Sequence, residues 1–468
     1  MIKIFDSIKR EKVEFVPIKA GEVSIYVCGP TVYDDAHLGH ARSALVFDLL
    51  RRLLEFEGYK VTFVRNFTDI DDKIIKKSLE SGEGIDALTE RYIASYLHDM
   101  DALGVRRPDL EPRATENLES IWEMISSLLE KKIAYQTSRG DIYLDVCKDA
   151  IYGELSGRGE DLEQVSRVEN SEEKHDPRDF ALWKSYKGAS DVGYDSPFGR
   201  GRPGWHIECS AMIEKHLANR TAPYAIDIHA GGSDLLFPHH ENEASQTRCA
   251  TGRELAKYWL HNGFVTINGE KMSKSLGNSF FVKDALRAYD GEVLRFYLLG
   301  THYRLGLNFS EEDLLSLKKR LDRLYRLKKR LGSVAGTEAN AEFVERFLEG
   351  LRDDLNISKA LSAVDEMIAL ANEELDSRPK DATLKGQIFG NLKVIEAILG
   401  IGAKEAVEYF QMGVSLAQKA EIEAKITERT EAKKSKDFAR ADKIREELSN
   451  AGIALLDTPN GTIWEKLS

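Results

Sequence analysis

Between Val23 and Val64 the hydrophobic period changes twice. Val23-Ser24-Ile25-Tyr26-Val27 alternates and is rich in β-branched residues, which predicts a strand. Leu38, Ala41, Leu45, Leu49, Leu53 and Phe56 then recur every three or four positions, which predicts an amphipathic helix. Gly58 stands where a helix C-terminal glycine belongs. Val61-Thr62-Phe63-Val64 predicts a second strand. Strand, loop, helix and strand in this order open a parallel α/β sheet.

Helical periodicity dominates from Asp71 to about Lys132. Around Ile133–Val146 it gives way to alternation, with Ser138-Arg139-Gly140 as the turn of a β-hairpin inside an insertion. Residues from about 150 to 200 are polar and glycine-rich. Sheet-like runs return at Tyr224–Ile228 and Gly263–Ile267, so the parallel sheet is expected to be split by an insertion. After about residue 309 the chain is helical. Ser310 with Asp313 fits a capping box, and Leu314, Leu317, Leu321, Leu324 and Leu331 keep one apolar seam. The other face carries Lys318, Lys319, Arg320, Arg323, Arg326, Lys328, Lys329 and Arg330. It reads either as a solvated bundle face or as a track for a phosphate backbone. A last helix holds Lys433, Lys434, Lys436, Arg440, Lys443 and Arg445, and a β-like end, Ile453–Leu456, follows.

Length and charge narrow the classes. At roughly 150 residues per domain, 468 residues give about three domains with a core that needs no staples. With 66 lysines and arginines against 78 aspartates and glutamates, the net charge is −12, which argues against a protein that coats polyanions indiscriminately. A nucleic-acid partner would need local basic surfaces. Met1–Asp6 has no leader-like apolar stretch, and no run approaches the roughly 18 apolar residues of a membrane span. Four cysteines (Cys28, Cys147, Cys209, Cys249) cannot form a disulfide framework, and the expected setting is a reducing cytoplasm.

Three constellations carry chemistry. His37-Leu38-Gly39-His40 opens the first helix, where free N–H groups and the positive dipole end suit a phosphate. The two histidines are expected on one helical face, and Gly39 lets a flat ring approach the backbone. Lys271-Met272-Ser273-Lys274-Ser275 follows a strand and the turn Asn268-Gly269. Its lysines and hydroxyls can stabilise charge on a pyrophosphate leaving group. Finally, Cys28 ends the first strand, Cys209 lies in Gly204-Trp205-His206-Ile207-Glu208-Cys209, and Pro238-His239-His240-Glu241-Asn242-Glu243 reads as a helix start with His239 and Glu243 on one face. Two thiolates, an imidazole and a carboxylate make a zinc set. On the residues alone, buried structural cysteines are the favoured alternative.

An HxGH after the first strand followed by KMSKS resembles the signature pair of class I aminoacyl-tRNA synthetases. GWHIECSAM, FPHHENE and CGPTVYD, together with Asn66–Lys73, Asp179–Lys184, Lys436–Asp442 and Gly461–Trp464, resemble the cysteinyl-tRNA synthetase family over essentially the whole chain. The resemblance implies one Zn²⁺ per chain at the floor of the amino-acid pocket, held by Cys28, Cys209, His239 and Glu243. His240 is the alternative to His239, and the family's HxxxE spacing selects His239. It implies His37, His40, Lys271 and Lys274 as catalytic stabilisers, and ATP, with Mg²⁺, bound by these four together with Gly39 and Asp234. Cys28 and Trp205 would wall the substrate pocket, a core tryptophan being the other reading of Trp205. Two departures stand out: Ala230 in His229-Ala230-Gly231-Gly232, where the family usually has a third glycine, and the polar run Ala244–Arg248. Cys147 and Cys249 match no ligand position and read as ordinary structural cysteines.

The implied fold is α/β: a split Rossmann-like parallel-sheet catalytic domain with an inserted connective domain, then an all-α bundle and a small C-terminal α+β domain. The expected boundaries are residues 1–114 and 201–262 for the catalytic halves and 115–200 for the connective insertion. A KMSKS-bearing segment occupies 263–309, a tRNA-binding bundle 310–405 and an anticodon-reading domain 406–468. The implied activity joins L-cysteine to tRNA(Cys), by a monomer with no membrane partner. The rivals are a cysteine ligase acting on an amino-sugar and a non-catalytic tRNA-binding paralogue.

Overall fold

The computed structural model describes residues 1–157, 173–267, 270–271, 280–458 and 461–467. Its central sheet is parallel and four-stranded. β1 (Glu22–Val27) and β2 (Lys60–Arg65) are joined by α1 (Leu38–Phe56). β3 (Tyr224–Gly232) and β4 (Glu254–Asn262) come after the insertion, and the sheet order is β4-β3-β1-β2. Chain order therefore reverses between β1 and β3, and in an open parallel sheet the crevice beyond the strand ends at such a point is where ligands bind. Cys28 and the His229–Gly232 end of β3 lie at that crevice.

The fourth core strand corrects the sequence expectation. Gly263–Ile267 was expected to return to the sheet, but the sheet member is Glu254–Asn262. Its polar C-terminal residues, His261 and Asn262, are buried at the crevice, so the run lacks the apolar signature of a buried strand. Val265–Ile267 instead joins a small sheet between Glu270–Lys271 (antiparallel) and Leu307–Phe309 (parallel).

The insertion builds an antiparallel sheet from Ala134–Gln136, Ile142–Leu144, Phe180–Ser185 and Gly201–Pro203, with the helix Leu118–Glu130 packed on it. This sheet continues past residue 200. Its last strand leads straight into α2 (Trp205–His216), and α3 (Glu241–Thr251) packs beside α2. Asp72 ties the insertion back to the catalytic body through ion pairs with Lys184 and Arg202.

Beyond Phe309 the helices Glu311–Leu331, Ala341–Arg352, Ile357–Ser377 and Ala382–Leu399 share one continuous core with the strands and α1. The C-terminal helices Leu416–Lys434 and Phe438–Asn450 and the hairpin Ile453–Thr458/Gly461–Lys466 have a separate core around Trp464. Ser310 caps its helix by accepting from the Asp313 N–H (3.2 Å). Its own N–H goes to the Tyr297 hydroxyl (2.9 Å), so only half of the expected capping box forms. Most cations of the basic helix face are taken. Arg320 and Arg323 pair with Asp365, Lys329 and Arg326 with Glu465, Arg330 with Asp376 and Lys318 with Asp322. Lys328 is buried against the carbonyls of Gly402 and Lys404. Among the described residues no helix is long and apolar enough to cross a membrane.

Candidate active site

Cys28 follows β1, its N–H bonded to the Ala230 carbonyl (3.1 Å), and this crosslink fixes it at the mouth of the crevice. Cys209 projects from the first turns of α2. His239 lies in the tight turn Leu236–His240, not in the first turn of a helix as expected. Phe237 leaves helical geometry (φ −138°, ψ 134°), and the regular helix starts at Glu241. The expected juxtaposition survives, because His239 Nε2 and Glu243 Oε1 are 2.8 Å apart.

The four groups converge. Cys28 Sγ is 3.9 Å from Cys209 Sγ and 3.6 Å from Glu243 Oε1, and Cys209 Sγ is 3.7 Å from His239 Nε2. Zinc–sulfur bonds of about 2.3 Å in a tetrahedron put ligand atoms about 3.8 Å apart, so these separations suit a tetrahedral zinc ion. Cys209, His239 and Glu243 are each at most 1 % exposed.

The charge distribution suits a cation. The Cys28 thiol donates to Cys209 and pulls the Cys209 thiol down to about 6, whereas burial pushes Cys28 up. Burial opposes ionisation of Glu243, but His239 and His229 outweigh it and hold the carboxyl well below the usual carboxylate range.

Two histidines without a role in the sequence pattern, His206 and His229, support the cluster, and His240, the alternative ligand, does not join it. His206 Nδ1 lies 2.8 Å from His239 Nδ1, which fixes the ring and turns Nε2 toward Cys209. Burial drives His206 well below its ordinary value, so it accepts as a neutral ring. His229 Nε2 is 2.7 Å from Glu243 Oε2 and braces the second carboxylate oxygen. His240, bonded through Nδ1 to His261 Nε2 (2.8 Å), turns away from Cys209. Cys28, His229, His240 and Glu243 also lie close enough to share an ion. That set offers one thiol where the first offers two, so it is the poorer in soft donors. The overlooked signal is positional: His229 and His261 sit near the C-terminal ends of adjacent parallel strands. Trp205 stacks on His239 with ring centroids 4.0 Å apart, which puts it at the site and not in the core. The Ala230 methyl is fully buried in the main core. Cys147 and Cys249 stand apart from the cluster.

At the HLGH helix the structure corrects the expectation of free backbone donors. His37 is the N-cap residue, and its Nδ1 accepts from the N–H of Gly39 (3.1 Å) and of His40 (3.4 Å). His40 Nδ1 accepts in return from the His37 N–H (3.3 Å). The Leu38 N–H goes to the Phe280 carbonyl (3.2 Å). With both Nδ1 atoms accepting from the backbone, the proton of each imidazole sits on Nε2. The flat ring that Gly39 admits is that of His37: a Cβ there would lie 2.9 Å from the imidazole.

Asp234 lies in the exposed turn beyond β3, against Gly232. Lys271 pairs with Thr266 in the small sheet, and Lys274 lies outside the described residues. The far side of the lysine segment returns to the HLGH helix, where Phe281 bridges His37 and the Val282 N–H reaches the Ala36 carbonyl (2.8 Å).

Comparison with known proteins decides the family. Residues 14–319 match the family described as tRNA synthetases class I (C) catalytic domain. The cysteine--tRNA ligase of Wolinella succinogenes is 78% identical over 466 residues, covering 100% of both chains. The chain belongs to the cysteinyl-tRNA synthetase family. As a cysteinyl-tRNA synthetase family member it is an ATP-dependent ligase. The cysteine--tRNA ligase of Nitratiruptor sp. is 62% identical over 464 residues, covering 99% of this chain and 100% of its own. The Mycobacterium tuberculosis methionyl-tRNA synthetase bound by methionyl-adenylate aligns with a TM-score of 0.62 at 15% identity, over 85% of this chain and 95% of that one. This likeness shows that the two chains share a fold.

Proposed function

We propose that the chain activates L-cysteine with ATP and transfers it to the 3′-terminal ribose of tRNA(Cys), as a cytoplasmic monomer. The observation that carries this reading is the convergence of Cys28, Cys209, His239 and Glu243 at the crevice between β1 and β3. These four residues would hold a zinc ion, and the substrate thiolate would have to join it as an added fifth, soft ligand, a bond that neither the hydroxyl of serine nor the methyl of alanine replaces. Trp205, stacked on His239, walls the side-chain pocket.

In the first step the cysteine carboxylate attacks the α-phosphorus of ATP. A carboxylate–phosphorus bond forms, the bond to pyrophosphate breaks, and cysteinyl-adenylate remains. His37 and His40 donate their Nε2–H groups to phosphate oxygens, and Lys271 and Lys274 offset the charge on the leaving pyrophosphate, with Mg²⁺ accompanying ATP. Gly39 keeps room for the His37 ring, and Asp234 lies on the nucleotide side. In the second step the 2′-hydroxyl of the terminal ribose attacks the cysteinyl carbonyl and AMP leaves. The C-terminal domain is the main RNA-contacting region, and the bundle helix, most of whose cations are paired within the protein, contributes less. Exposed Lys434, Lys436, Lys443 and Arg445 supply local cations in an acidic whole.

The test is cysteine-dependent ATP–pyrophosphate exchange followed by charging of a tRNA bearing the cysteine anticodon. Both activities are expected. Exchange without charging would favour the amino-sugar ligase, and absence of both would favour a non-catalytic RNA-binding paralogue.

A further inference from the structure

The HLGH helix carries a buried cation that the mechanism above does not use. Arg42 is fully buried, and among the described residues no carboxylate bonds to it. Its fork is spent on three backbone carbonyls: Nη1 donates to Gly263 (3.2 Å) and Phe264 (3.1 Å), and Nη2 to His302 (3.1 Å). Burial without a counter-charge pulls the guanidinium down to about 10. A buried charge of this kind is a poor source of stability, and an apolar side chain would fill the space at less cost. What only a guanidinium offers is a rigid, planar grip on several acceptors at once.

Those three carbonyls form the root of the small sheet. Gly263 and Phe264 run directly into Val265–Ile267, on which Glu270–Lys271 is paired, and His302 opens the turn that leads to Leu307–Phe309. The root is tightly built: the Gly263 N–H donates to the Tyr303 carbonyl (2.8 Å), and a Cβ at Gly263 would lie 2.4 Å from the Leu305 carbonyl oxygen. Beyond the lysine segment, Phe280–Val282 is hydrogen-bonded to Ala36–Leu38. The HLGH element thus holds the chain on both sides of that segment, through the Arg42 side chain before it and through the backbone after it.

We infer that Arg42 is a positioning residue, which sets the strand bearing Lys271 against His37 and His40 by gripping the root of the small sheet. The inference rests on the proposed roles of those three residues. A misplacement of about 1 Å caused by a mutation away from the reacting atoms can cost about 100-fold in rate.

The test compares Arg42→Lys and Arg42→Met with the parent chain. Three measurements are needed: kcat and KM for cysteine in pyrophosphate exchange, zinc content, and amide hydrogen exchange of peptides covering 263–267 and 302–309. Lysine keeps the charge but replaces the fork with a single point donor. Arg42→Lys is expected to lower kcat about tenfold and Arg42→Met about 100-fold. KM for cysteine and zinc content should stay within about twofold, and exchange should quicken in the two root peptides but not in β3. Two results would overturn the inference: kcat unchanged in both variants, or zinc content and cysteine affinity falling as far as kcat. If Arg42→Met does not fold, Gly263→Ala displaces the same root from its other side. A loss confined to kcat then supports the inference, and an unchanged kcat overturns it. If the parent shows no cysteine-dependent exchange, the ligase reading fails, and the hydrogen-exchange comparison of Arg42→Lys with the parent still decides the positioning role.

Discussion

His37 and His40 cap the same helix reciprocally, each ring accepting from the other residue's backbone N–H, with the imidazoles stacked at 3.7 Å between centroids. The signature histidines are therefore positioned by each other, and Gly39 between them is the residue that leaves room. A methyl at Gly39 would press on the His37 ring at 2.9 Å. Gly39→Ala gains about 1 kcal/mol of helix propensity and loses about 1–3 kcal/mol to overpacking, so a net loss of about 0–2 kcal/mol in stability is expected. The kcat of pyrophosphate exchange is expected to fall about 10–100-fold, because both Nε2–H groups move. Exchange kinetics alongside urea unfolding separate the two effects. A parent-like kcat would show that the stacked pair does not position the chemistry.

The metal cluster predicts a graded response. Cys209→Ser removes one of two sulfur ligands, and zinc binding and cysteine activation are expected to fall together. His206→Ala leaves all four ligand atoms but frees the His239 ring, so zinc affinity is expected to drop about 10–100-fold without being lost. Titration with a chromophoric chelator, run beside the exchange assay, measures both. Cysteine activation at the parent level in Cys209→Ser would refute the assigned ligand set.

Asp99 predicts a pH dependence of stability. It is fully buried on the helix Ile85–Ala102, and neither carboxylate oxygen has a hydrogen-bond partner among the described residues. Burial raises its pKa to about 6, with Asp35 adding to the shift and His98 opposing it. In the unfolded chain it ionises near pH 4, so the unfolded state sheds the proton first. Stability is then expected to fall as pH rises from about 4 to about 6 and to stay lower above that, by at most about 3 kcal/mol. Asp99→Asn removes this loss. It should unfold at a higher temperature than the parent at pH 8 and show no such advantage at pH 4. An equal difference at both values would remove ionisation of Asp99 as the cause.

Parts of this site were legible because each carries a strong local signal. β1, α1 and β2 follow from period alone, and His239 and Glu243 meet because four residues span about one helical turn. The turn before α3 is irregular, yet it keeps that spacing. β4 was missed because its sheet-end residues are polar, and they are polar because they line the crevice. His206 was passed over because a histidine beside a ligand has no sequence mark of its own. What marks it is Nδ1 facing His239, a relation between two elements 33 positions apart in the chain.

The sequence by itself determined the family, the ligand candidates and the opening of the sheet, since residue identity and short-range periodicity encode those directly. Tertiary structure alone decided the rest. Cys28 and Cys209 are 181 positions apart and become neighbours only because chain order reverses between β1 and β3. The cations of the bundle helix spend their charge on Asp365, Asp376 and Glu465, which no helical period pairs with them. Arg42 reads as one more polar residue after a motif until three distant carbonyls close on it. Hydrogen bonds and ion pairs depend on a few ångströms of separation, and only the folded chain sets those distances.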